Sequence, residues 1–120
     1  MEVNKFNRIE LHDSDIDELY FDFAKKAIKI VASVYNETTK DYDNILMLFK
    51  SIEGFKLELI NLIDFKSIEI NYAEASQKGN NIFIEFTLLI DMDEVELSFL
   101  CGMIETDLSE ELYLQHLKRD

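Results

Sequence analysis

The chain has no proline, no tryptophan, three glycines and one cysteine in 120 residues. With Gly54, Gly79 and Gly102 far apart, no glycine-rich loop can cradle a phosphate. A lone Cys101 cannot form an internal disulfide, and its setting in Leu97-Ser98-Phe99-Leu100-Cys101 reads as a small buried core residue. Two histidines and one cysteine in no recognised spacing leave a zinc site short of ligands. Basic residues are also scarce, 12 Lys and Arg against 25 Asp and Glu, a formal net charge of -13. That balance argues against direct binding to nucleic acid or to an anionic membrane and favours a basic protein partner. The apolar runs are too short for a membrane span, and residues 1–10 lack the basic and apolar regions of a signal peptide, so a cytoplasmic protein is expected.

Nearly half of the residues, 48%, are apolar, enough to fill one core without metals or disulfides, and nothing in the composition divides the chain. A single domain over residues 1–120 is expected. Turns must come from residues such as Asn36, Asn44, Asn80 and Asp91. From 66 to 72 the alternation places Ile68, Ile70 and Tyr72 on one face of a strand, and Gln77-Lys78-Gly79-Asn80-Asn81 supplies a turn. Residues 82–90 and 95–103 continue as strands either side of Asp91-Met92-Asp93-Glu94. Residues 45–52 and 55–63 read as two more, hinged at Glu53-Gly54.

The N-terminal third fits two periods. On a helical wheel Ile16, Leu19, Tyr20, Phe23, Ala27, Ile30, Val31 and Val34 share a face, with Ser14 as N-cap. As strands, Leu19, Phe21 and Phe23 alternate, Ala24-Lys25-Lys26-Ala27 turns, and Ile28, Ile30, Ala32 and Val34 alternate again. The hairpin agrees with the rest of the chain. The fold expected is mostly β: an antiparallel sheet forming a sandwich or open barrel with a short C-terminal helix. The alternative is α+β with an N-terminal helix over about residues 15–35. Asp107-Leu108-Ser109-Glu110 has capping-box spacing, with Lys118 and Arg119 near the end of that C-terminal helix.

No arrangement of residues carries catalysis. Asp13-Ser14-Asp15-Ile16-Asp17 opens like a calcium loop, but Glu18 stands where the bend needs glycine and Ala24 where a bidentate Glu is needed. His12 and Asp13 read as a local turn, and no serine sits in a nucleophile elbow. No enzyme, cofactor or metal is expected. The acids form three groups: Asp13, Asp15, Asp17 and Glu18; Asp91, Asp93, Glu94 and Glu96; Glu105, Asp107, Glu110 and Glu111. They read either as a solvated surface or as a patch that steers a cationic protein. On one face, they would imitate the phosphate track of a nucleic acid.

The segment Leu11-His12-Asp13-Ser14-Asp15-Ile16, followed by alternating apolar residues, a Lys-Lys turn and Ile28-Lys29-Ile30, resembles small bacterial proteins that open with an HDS-x-I segment. Members of that group look like immunity proteins of polymorphic toxin systems. The resemblance implies a mostly-β, non-enzymatic protein that masks a toxin domain, with no catalytic role for His12, Asp13 or Ser14. A nucleic-acid mimic that inhibits a nuclease or defence complex, as phage-encoded inhibitors do, is the alternative.

Overall fold

The computed structural model describes residues 1–57 and 67–119. They form eight strands and two short helices: α1 Val3–Asn7, β1 Ser14–Asp22, β2 Ala27–Asn36, β3 Asp41–Lys50, β4 Glu53–Leu57, β5 Ile68–Lys78, β6 Asn81–Ile90, β7 Asp93–Cys101, β8 Met103–Thr106 and α2 Glu110–Gln115. The fold is mostly β, as the alternation predicts. The strand expected over 55–63 lies outside the described residues from 58 onward, as does the start of the one expected over 66–72.

The hairpin wins in the N-terminal third because local turn chemistry breaks the helix. Asp22 Oδ1 accepts the Lys25 N–H at 3.0 Å, and Lys26 takes φ 51. A side chain thus replaces a helical carbonyl, and the next residue enters a left-handed conformation. Strand pairing then buries Ile28, Ile30, Ala32 and Val34 together, whereas the wheel would have buried Tyr20, which is exposed; Phe23, placed with the apolar face on either reading, is exposed as well because it falls in the turn.

All pairings are antiparallel, in the order β4-β7-β6-β5-β1-β2-β3-β8. The two ends of this order belong to the same bent strands. β4 continues β3 past Ser51-Ile52, β8 continues β7 past Gly102, and Lys50↔Met103 and Glu53↔Leu100 pair across the bend in one register. The bends fall there, rather than at Glu53-Gly54, because the Gly102 N–H donates to the Lys50 carbonyl at 2.8 Å. A Cβ on Gly102 would sit 3.2 Å from the Ser51 Cβ, so the close approach favours glycine.

The sheet therefore curls into an open barrel, with Phe49 of β3 meeting Phe99 of β7 across the interior at 5.1 Å. Phe6 of α1 plugs it, edge-on to Phe49 and Phe86 at 6.3 Å each. Each such fully buried ring stabilises the fold by about 1.5–3 kcal/mol. Cys101 is buried in this core, and burial pushes its thiol up to about 11. Among the described residues the seam between β1 and β5 is short, pairing Ser14↔Ile70 and Asp15↔Glu69.

Two bulges change which side chains face inward. One follows Ile16 on β1, leaving both Asp17 and Glu18 exposed. The other lies between Ile70 and Tyr72 on β5 and corrects the expectation that Tyr72 shares the face of Ile70: Tyr72 is 48% exposed, and Ala75 takes up the inward series.

Candidate functional site

Register brings two of the three acid groups together. Asp15 pairs with Glu69, Glu69 with Leu89 and Leu89 with Glu94, giving one outward row across β1, β5, β6 and β7. The next row is Tyr72, Thr87 and Glu96, and the one after it Glu74, Glu85, Ser98 and Lys56. Neighbouring strands lie about 4.8 Å apart, so these carboxylates form a continuous acidic face. The exposed Tyr72 lies within it. Its hydroxyl donates to the Glu74 carboxylate, a bond to the neutral phenol that, with the charges of Glu74 and Glu85, raises its pKa.

Other members of the first two groups have structural duties. Asp13 sits at φ 66, donates its N–H to the Ile70 carbonyl at 2.8 Å and lies 3.2 Å from His12 Nδ1. The turn read at His12-Asp13 is thus present. Asp17 accepts the Ser33 hydroxyl, and Glu18 pairs with Lys29 at 2.7 Å. Asp91 and Met92, at φ 49 and 77, make the two-residue turn closed by Ile90↔Asp93. Asp91 also grips Ser67, accepting its N–H at 3.0 Å.

The third group lies apart, beyond the bend at Gly102. Glu105 pairs with Lys50 at 2.9 Å, Glu110 lies 3.5 Å from Lys5, and Glu111 is exposed in the first turn of α2. Asp107 does not open a capping box. It accepts the Leu46 N–H at 2.9 Å, and Ser109 is the N-cap, its hydroxyl accepting from Leu112 N–H at 3.2 Å. The helix ends at Gln115, short of Lys118 and Arg119, so its last turn holds no base.

A second polar centre escaped the sequence reading. His116 is buried after α2, with its Nε2 2.7 Å from Asp43 Oδ2. The wholly buried Asn36 donates to the same Oδ2 at 2.8 Å and to Gln115 Oε1 at 2.7 Å, while its own oxygen accepts from Thr38 N–H at 2.9 Å. These bonds, Asn36's first and then His116's, lower the Asp43 pKa. The signal was available: Asn36 continues the series Ile28, Ile30, Ala32, Val34, and Asp43 precedes Ile45, Met47 and Phe49 by twos. A polar residue in phase with buried ones needs a buried partner. Above this centre Tyr35 and Tyr42 meet edge to face at 5.3 Å, both exposed.

Among the described residues no three His, Cys, Asp or Glu side chains converge as metal ligands, and no helix is long and apolar enough to cross a membrane. No family model matches the chain, and no curated protein does. Among solved structures it is similar to an uncharacterized protein from Neisseria gonorrhoeae, with a TM-score of 0.51 and 15% identity over 80% of this chain and 91% of that one. The likeness at this identity concerns the fold alone.

Proposed function

We propose that the chain is a non-enzymatic binding protein that neutralises a basic protein partner, in the manner of an immunity protein masking a toxin domain. The observation that carries this reading is the acidic face built by Asp15, Glu69, Glu74, Glu85, Glu94 and Glu96 around Tyr72. Six carboxylates on adjacent strands repel one another, and a cationic surface is the partner that relieves the repulsion. Such a face speeds encounter through its long-range field, and exposed aromatics such as Tyr72, Tyr35 and Tyr42 supply the contact area that holds the complex.

The test is capture of partners from the native host by the tagged protein at low salt, with stepwise salt elution, beside a variant carrying Glu69→Lys, Glu94→Lys and Glu96→Lys. One basic protein held by the wild type, released at high salt and missed by the variant is the expected result. Equal capture by both proteins, or no basic protein with either, would sink the reading. Release of the captured protein by added nucleic acid would favour the nucleic-acid mimic instead.

A further inference from the structure

Beside the buried centre lies a cavity of about 140 Å³ whose walls include Glu10, Tyr35, Glu37, His116 and Arg119. Pockets for drug-sized ligands measure about 300–1,000 Å³, so this smaller cavity suits one side-chain head group. The His116 ring forms part of the wall, with its Nε2 turned to Asp43.

The walls bring the Glu37 carboxylate and the Glu10 carboxylate, of which Oε1 already takes the His12 N–H at 3.2 Å, beside the Arg119 guanidinium and the Gln115 amide. Tyr35 adds an aromatic surface, backed by Tyr42. A donor-rich planar cation suits this wall, forking onto a carboxylate and stacking on the ring, whereas an anion would meet two carboxylates. The chain itself supplies one such cation at the rim, the Arg119 guanidinium bonded to Glu37. That contact is weakly held, with side chains 77% and 57% exposed, and is open to exchange.

We propose that this cavity receives an arginine side chain of the protein's basic partner, which takes the place of Arg119 on Glu37. The proposal rests on the reading of a basic partner, but its pocket is tested without one. N-acetylarginine amide is titrated into the full-length protein and into Arg119→Ala, Glu37→Gln and Tyr35→Leu variants, with the ring resonances of His116 and Tyr35 followed by NMR. Saturable shifts at both rings are expected, with affinity roughly two- to five-fold tighter in Arg119→Ala, the range of an exposed ion pair. Binding is expected to weaken in both Glu37→Gln and Tyr35→Leu. The uncharged isostere N-acetylcitrulline amide should leave both rings unmoved. No saturable shift in Arg119→Ala, equal shifts with citrulline, or full binding by Glu37→Gln would overturn the pocket. Arginine binding without any captured basic protein would keep the pocket and remove the partner from the proposal. A captured partner without arginine binding would do the reverse.

Discussion

At the scale of single residues, the fold depends on one carboxylate whose partners are far apart in sequence. Asp43 Oδ2 takes a hydrogen bond from Asn36 and another from His116, 73 residues further on, and so fastens the end of α2 to the β2–β3 hairpin. Replacing it by Asn keeps the shape but removes the charge that strengthens both bonds, and is expected to cost about 1–3 kcal/mol near neutral pH. The sign of the pH dependence follows from the lowered pKa. Asp43 stabilises the fold fully above its unfolded pKa of about 3.9, and the contribution is lost as pH falls through the lower folded value. Urea unfolding of wild type and Asp43→Asn should therefore differ clearly at about pH 7 and converge as the pH drops well below 3.9. A gap that stays constant with pH would mean that the charge of Asp43 contributes nothing.

At the scale of elements, what was legible in the sequence was period, and what was hidden was where the period breaks. β2, β6 and β7 bury every second residue and were readable from Ile, Val, Leu and Phe alone. The bulges after Ile16 and Ile70 each shift the phase by one, so Tyr72 faces solvent although it is two residues from the fully buried Ile70. Nothing local in Asn71 announces that slip. The five-residue helix α1 was missed because its only fully buried residue is Phe6, too little for a periodic signal. The acid groups were visible, but their meeting depended on β5, which supplies Glu69 and Glu74 between β1 and β6. The C-terminal helix was visible too, although its cap is Ser109 and not Asp107. Ser109→Ala should thus lower stability by about 1 kcal/mol, the cost of an N-cap. Glu110→Gln, at the acid of the apparent capping box, should change it by no more than an exposed charge does. Thermal unfolding of the two variants separates these roles, and equal losses would restore the capping box.

At the scale of the whole molecule, the net charge of -13 works against the compact state, and the outward row places Asp15 directly opposite Glu69. Like charges in such a pair destabilise a sheet, and this pair belongs to the seam between β1 and β5. Glu69→Lys replaces repulsion by attraction there and is expected to raise stability by about 0.2–1 kcal/mol at low salt. The gain should shrink as salt shortens the Debye length to about 8 Å near physiological ionic strength. If the acidic face exists to meet a cationic surface, the same substitution must slow association with the captured partner while stabilising the free protein, a separation of stability from function seen where a surface is held under strain for binding. Glu111→Lys is the control, since it alters net charge equally but lies on α2, apart from that face. Urea unfolding at low and high salt, read beside association rates for both variants, decides the matter. Faster unfolding of Glu69→Lys, or equal slowing of association by Glu111→Lys, would leave the acidic face as a solubilising surface and nothing more.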